Sequence, residues 1–204
     1  MDESKLNESI KWLSKNSELK KIINKYPVPE FSPNSNYFEA LSKTIIYQQL
    51  NGKVARLIHA RYLNLFKNKI PNPTEYLKIK KTDLKNAGLS SQKINYIHNL
   101  SIFFLKRENE IEFNSISNEE IYKELITIKG IGKWTIDIFM IFTLCKIDIL
   151  PLSDLGIKKG FKKLYNLNEM PSENFMKKKS LKWSPYRTIV SYYLWKLSDD
   201  NSKV

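Results

Sequence analysis

The chain has 204 residues, enough to bury a substantial core in one large or two small lobes. Apolar residues make up 42% and aromatic residues 12%, which excludes a disordered tail. Lysine and arginine total 34 against 21 acidic residues, a net charge of +13 that favours a polyanionic partner without identifying one.

Helical periodicity dominates and no alternating strand pattern appears, so the fold class is all-α. Residues 3–15 space Leu6, Ile10 and Leu13 at helical intervals, and a second short helix over Glu18–Lys25 stops at Tyr26-Pro27-Val28-Pro29. After a proline-rich connector, Asn34-Ser35-Asn36 offers caps for an amphipathic helix over Tyr37–Gln49. Leu50-Asn51-Gly52 interrupts it, and a helix from Lys53 to Phe66 follows with Val54, Leu57, Ile58 and Leu65 on one apolar face. Read locally, Gln48-Gln49 is a polar helix C-terminus with Asn51-Gly52 as a left-handed cap.

Pro71-Asn72-Pro73-Thr74 ends that helix, and a short one lies around Glu75–Ile79. Thr82 to Leu89 is a capped turn of helix closed by Gly88, and Ser90-Ser91-Gln92-Lys93 caps the next helix. His59 and His98 read as surface or internally satisfied side chains. A further helix starts at Asn114–Asn118 with Glu119 and Glu120 in its first turn, where the helix dipole favours them. It runs into the turn Lys129-Gly130-Ile131-Gly132. Two glycines one residue apart allow backbone angles that Cβ-bearing residues avoid, and they leave N–H groups uncovered at a helix N-terminus, where a phosphate is attracted.

Trp134 to Leu144 is apolar nearly all round and should cross the core, with Asp137 as its one charge. Cys145, the only cysteine, reads as a small core residue and excludes disulfides and cysteine-ligated zinc or iron–sulfur sites. With it and two distant histidines, no metal cluster is expected. An irregular segment leads to Ser153-Asp154 and a helix to Tyr165 whose polar positions are Lys158, Lys159, Lys162 and Lys163. Lys177, Lys178, Lys179 and Lys182 add a second basic run, and the last helix carries Tyr192, Tyr193 and Trp195. No run approaches a membrane span and no signal peptide is seen, so an intracellular, non-membrane protein is expected.

Ile128-Lys129-Gly130-Ile131-Gly132-Lys133-Trp134-Thr135 followed by Leu150-Pro151-Leu152-Ser153-Asp154-Leu155-Gly156 resembles the helix-hairpin-helix DNA glycosylases, most closely the 3-methyladenine DNA glycosylase II group. The run from Leu84 to Lys93 and the arrangement Trp183, Pro185, Tyr186, Arg187, Trp195 resemble the same group, so the likeness spans roughly residues 34–195. It implies an all-α, two-lobed helix-hairpin-helix core. Residues 1–33 would pack on that core, 34–126 would form the lobe with the wedge, and 127–204 would hold the hairpin and the catalytic aspartate. The β-containing domain that precedes the core in longer bacterial members is not expected.

The resemblance also assigns roles. Asp154 matches the catalytic aspartate. Trp134 and Trp195 match pocket aromatics, with Tyr193 and Tyr47 as further candidates. Gln48, Gln49 and Leu50 match the segment that fills the hole left by a flipped base. Gly130, Ile131, Gly132, Lys133, Thr135, Ser90, Lys158 and Lys159 are expected at the DNA backbone. No cofactor is expected, and a structural monovalent cation at the hairpin carbonyls stays open. The partner implied is double-stranded DNA with damaged bases, met by a monomer.

Cleaving an N-glycosidic bond builds positive charge on the deoxyribose, and one fixed carboxylate near C1′ stabilises it. Asp137, Asp148 and Asp154 compete for that role, and position favours Asp154, which is equally a plain helix N-cap. Relatives that also cut the strand carry a lysine two residues after the second glycine; Trp134 stands there, so water is the expected nucleophile. An electron-rich aromatic pocket attracts cationic N3- or N7-alkylated purines, though any single tryptophan is more commonly core. The expected activity is excision of 3-methyladenine and 7-methylguanine without strand cleavage. Rivals are the same fold acting on hypoxanthine, ethenoadenine or uracil, and a non-catalytic binder of DNA structure.

Overall fold

In the computed structural model, which describes residues 3–106 and 112–200, most helices begin where the sequence supplies a side-chain oxygen, while α6 and α12 start without a side-chain cap. There are twelve α-helices among the described residues: α1 (Glu3–Leu13), α2 (Ser17–Lys25), α3 (Tyr37–Tyr47), α4 (Gly52–Leu63), α5 (Pro73–Tyr76), α6 (Lys81–Asn86), α7 (Ser91–Lys106), α8 (Asn118–Leu125), α9 (Lys133–Phe142), α10 (Leu155–Leu164), α11 (Glu173–Ser180) and α12 (Arg187–Asp199). No strand occurs among these residues, and no helix is long and apolar enough to cross a membrane. Asn16, Asn36, Asn51, Asn72, Ser117, Asp154 and Ser172 each accept an N–H from the first turn that follows, at about 1 kcal/mol apiece. Ser117 and Glu120 complete a reciprocal capping box.

The short helix expected around Glu75–Ile79 runs instead over Pro73–Tyr76 behind its Asn72 cap, and three further differences bear on which residues the helices present. α3 ends at Tyr47, not Gln49, because Gln48 and Gln49 leave helical geometry, Gln49 at φ 56°. α4 buries Ala55 and Tyr62 while Val54 and Leu57 are exposed, so its inward stripe is the neighbouring one. α11 carries Lys177, Lys178 and Lys179 of the second basic run on a helix that its charge had hidden.

The chain divides into two compact units, Met1–Pro33 with Met140–Val204, and Asn34–Phe139, so the boundary falls within α9. The reasons for this grouping are visible in the contacts. The N-terminal helices are tied to the C-terminal ones: the Tyr165 hydroxyl donates to Glu18 at 2.7 Å, Lys182 pairs with Glu18 at 2.5 Å, and the Tyr26 hydroxyl donates to Asp200 at 2.7 Å. The hairpin belongs with residues 34–126, since Gly130 lies directly against the Tyr96 ring of α7.

In the first unit α10 crosses α12 at Gly160, where a Cβ would stand 2.4 Å from the Leu194 carbonyl oxygen. Ile157, Phe161, Trp183, Ile189 and Leu194 are fully buried around that crossing. In the second unit Leu41 and Ile45 of α3 and Ile97 and Leu100 of α7 are fully buried, beside an edge-to-face set of Tyr37, Phe113 and Phe139.

Candidate functional site

Asp154 is the N-cap of α10, and two donors converge on its Oδ1: the Ile157 N–H at 2.9 Å and the Trp195 indole Nε1 at 2.8 Å. A half-buried carboxylate held by a helix N-terminus and an indole has a fixed direction, which is what a group that must meet a developing cation requires. Trp195 in turn stacks on Phe142, ring centroids 5.5 Å apart at 28°, and Phe142 is 47% exposed. An exposed aromatic ring beside a fixed carboxylate offers a flat, electron-rich surface to a planar cation.

Gly156 makes this arrangement possible. A Cβ there would lie 2.7 Å from Trp195 Cδ1 and 3.0 Å from Asp154 Oδ1. Gly156→Ala should therefore part the indole from the carboxylate while leaving α10 intact, since alanine is the better helix former. We expect base release to fall at least tenfold with little change in melting temperature; unchanged release would show that Trp195 does not position Asp154.

The other two carboxylates are committed elsewhere. Asp148 accepts from Arg187 Nε at 2.6 Å, Arg187 Nη2 at 2.8 Å and the Ser184 hydroxyl at 2.8 Å. Burial works to raise its carboxyl, but the hydrogen bonds from Arg187 and Ser184 outweigh it and hold the group below the ordinary carboxylate range. Asp148 thus anchors the start of α12. Asp137 is buried in α9, accepting from the Tyr122 hydroxyl and pairing with Lys133 Nζ at 3.4 Å.

Burial pushes the Asp137 carboxyl up to about 8. The folded chain then keeps a proton that the unfolded chain, with a carboxyl near 3.9, has released. Stability from this group is complete below about pH 4 and declines as pH rises towards about 8. Asp137→Asn retains an acceptor for Tyr122 and removes the titration. Its melting temperature relative to wild type should rise by several degrees between pH 5 and pH 8.5, or about 2 kcal/mol after allowing for the Lys133 ammonium. A difference that does not vary with pH would sink this account.

In the second unit the hairpin glycines divide their work. Gly130 has φ 106° and touches Tyr96, whereas a Cβ on exposed Gly132 would meet nothing within 4 Å. The Ile131 N–H donates to the Ile128 carbonyl at 2.9 Å and its side chain is buried, so Ile131 shapes the turn and its amide is not turned outward. Gly132, Lys133 and Trp134 open α9, whose first-turn N–H groups have no acceptor within the helix. Lys133 reaches back over the Tyr122 ring at 4.9 Å, and Trp134 is half-buried. Thr135 is buried, its hydroxyl accepting from the Gln48 amide at 2.9 Å, so only its backbone is suited to a phosphate.

Gln48 therefore does not project as expected of a wedge. Its Nε2 also donates to the Gly130 carbonyl at 3.0 Å, leaving exposed Gln49 and Leu50 at the tip of the turn. Tyr47 meets His59 edge-on at 6.3 Å, and His59 pairs with Glu39 at 3.1 Å. Ser90 is exposed and its hydroxyl accepts the Lys93 N–H at 3.3 Å, a cap for α7. Lys159 is exposed and Lys158 half-buried on α10.

Tyr193 departs from its expected place. It is 1% exposed, because the inward stripe of α12 is Ile189, Val190, Tyr193, Leu194 and Leu197. Its ring is core; Trp195 lies off that stripe. Lys163 also leaves the basic run, with Nζ donating to the carbonyls of Leu197 and Ser198 at 3.0 Å and of Asp200 at 2.6 Å, at the end of α12. Phe142 is a site residue that the sequence did not single out, and Gly156 and Lys93 stood only inside the family-like runs, with no role given to them. In the sequence Phe142 looks like its buried neighbours Phe139, Met140 and Ile141, and no local signal marks it as exposed. Among the described residues no group of three or more His, Cys, Asp or Glu is placed to hold a metal ion.

Comparison with known proteins agrees with this architecture. Residues 42–185 match the family model described as HhH-GPD superfamily base excision DNA repair protein. A Schizosaccharomyces pombe protein named DNA-3-methyladenine glycosylase 1 is 30% identical over 88% of this chain and 80% of its own. A Saccharomyces cerevisiae DNA-3-methyladenine glycosylase is 28% identical over 92% of this chain and 75% of its own. The solved structure of the S. pombe 3-methyladenine DNA glycosylase Mag1 in complex with abasic DNA superposes with a TM-score of 0.83 at 29% identity, covering 93% of this chain and 95% of that one. With the family model spanning well over half of its length, the chain belongs to the HhH-GPD superfamily of base excision DNA repair proteins.

Proposed function

We propose that the protein is a monofunctional DNA glycosylase that excises alkylated purines, chiefly 3-methyladenine and 7-methylguanine, from double-stranded DNA. The observation that carries this reading is Asp154, fixed by the Ile157 N–H and the Trp195 indole beside the Phe142–Trp195 stack. Alkylation at N3 or N7 makes the base cationic and a good leaving group, so the enzyme needs no strong acid. As the bond to C1′ lengthens, positive charge moves to the sugar, and the Asp154 carboxylate stabilises it; water completes the hydrolysis and leaves an abasic site.

Trp134 occupies the place where a Schiff-base lysine would be needed for strand cleavage, which supports the hydrolytic course. Gly132 and the first turn of α9 hold a backbone phosphate, the Gln49–Leu50 turn occupies the vacated stack, and Lys158 and Lys159 add charge along the backbone. The reaction uses no cofactor, and one chain suffices. The names and the DNA complex of the relatives support this reading for their own proteins.

The test is base release from methylated duplex DNA with the freed bases resolved chromatographically. Release of 3-methyladenine or 7-methylguanine, leaving a strand that breaks only on later alkali treatment, is expected. Release of hypoxanthine, ethenoadenine or uracil instead would keep the chemistry and change the substrate, and tight DNA binding without release would refute the enzyme.

A further inference from the structure

α3 stops at Tyr47, and its final carbonyls face an ammonium. Lys93 Nζ donates to the carbonyl of Ile46 at 2.7 Å and to that of Gln48 at 2.9 Å. The group is half-buried, and burial lowers its tendency to hold a proton, a cost that carbonyls at the negative end of a helix offset. Gln48 then gives both hydrogens of Nε2 inward, to the Gly130 carbonyl at 3.0 Å and the buried Thr135 hydroxyl at 2.9 Å. Gln49 turns through φ 56°, and Gln49 and Leu50 emerge exposed before Asn51 caps α4. The tip is thus free of contacts that would bury it, while the residue beneath is fastened to both sides of the hairpin.

We propose that Gln48 and Lys93 form a brace that locks the Gln49–Leu50 turn to the hairpin, so that phosphate capture and insertion of the turn into DNA occur as one coupled event. The proposal rests on the glycosylase reading above. A side chain entering a base stack is pushed back by it, and a turn without a fixed footing would yield. Gln48 is suited to the role because one amide nitrogen supplies two donors, one for each side of the hairpin turn. A carboxylate of the same shape has no hydrogen for the Gly130 carbonyl and would set its charge against that oxygen, keeping at most a hydrogen bond from the Thr135 hydroxyl. Gln48 and Lys93 are positioning residues, acting through Gln49 and Leu50.

The experiment uses the full chain and a duplex with 2-aminopurine beside a tetrahydrofuran abasic-site analogue, whose fluorescence rises on unstacking. Single-turnover base release and binding to undamaged duplex are measured in parallel, at a temperature where melting curves show every variant folded. Gln48→Glu and Lys93→Met are expected to lose at least half of the fluorescence rise and about tenfold in release rate, with undamaged-duplex affinity changed by no more than about twofold. Lys93→Arg, which keeps donors for both carbonyls, should recover most of both signals. The double variant Gln48→Glu/Lys93→Met should fall little further than the worse single one, as members of one unit do.

A wild-type rise and rate in Gln48→Glu would overturn the brace. So would an equal loss of undamaged-duplex binding, which would place the effect in the hairpin alone, or a double variant whose losses multiply. Absence of release by the wild-type chain would refute the glycosylase reading, while the fluorescence arm, which breaks no bond, would still decide the brace.

Discussion

Asp154→Asn is expected to fold as the wild type does and to release methylated bases about 10²–10³-fold more slowly, a loss of about 3–4 kcal/mol in the transition state. The prediction separates two duties of one side chain. As an N-cap, asparagine serves as well as aspartate, and its carbonyl oxygen can accept from the Ile157 N–H and the Trp195 indole where Oδ1 now does. The melting temperature should therefore move by no more than a degree or two. The lost property is the full negative charge, which matters only when the sugar becomes cationic. Affinity for a duplex with an abasic-site analogue should remain within severalfold of wild type. Undiminished release would remove Asp154 from the chemistry. Asp148 is held in its pairing with Arg187, so the buried Asp137 would be the next to test. Asp154→Ala is the complementary control, expected to lose the charge together with about 1 kcal/mol of capping.

The second large effect concerns the hairpin glycines, which one motif presents as equivalent. Gly130→Ala should destabilise the fold by about 2–5 kcal/mol, combining an unfavourable backbone region with a collision. Its φ is 106°, and the new Cβ would lie 2.1 Å from Tyr96 Cγ, an atom next to the backbone that cannot swing aside. A fall in melting temperature on the order of 10 °C follows. Gly132→Ala should change stability by no more than about 1 kcal/mol, because its Cβ would point into open space. It should instead weaken DNA binding about tenfold or more, since a methyl group would stand where the phosphate approaches the amides. A Gly132→Ala chain that binds DNA normally would move the phosphate elsewhere, and a fully stable Gly130→Ala chain would contradict the Tyr96 contact.

The starts of most helices were legible in the sequence because an N-cap is a short-range device: one Asn, Ser or Asp and the N–H groups two or three residues later. Asp154 and the G-x-G turn were legible for the same reason. Helix faces were harder. α4 has two adjacent apolar stripes, and only the rest of the unit determines that Ala55 and Tyr62 turn inward while Val54 and Leu57 stay exposed. α11 was hidden because three successive lysines near its end mask a single buried methionine, Met176. Gln48 looked like a protruding polar residue, since nothing local shows that both hydrogens of its amide are used inside.

By itself the sequence determined the all-α class, the glycine turn that opens α9, and Asp154 as a helix N-cap. Each depends on periodicity, caps and glycines within a few residues of one another. Only the tertiary structure decided which partners those residues meet. The Trp195 indole reaches Asp154 across 41 residues of chain, and the Gln48 amide reaches Gly130 across 82. It placed Tyr193 in the core and Phe142 at the surface, and it assigned Lys163 and Lys93 to helix ends. Such choices are made by packing between distant segments, where hydrogen bonds and buried area are settled jointly and no single stretch carries the answer.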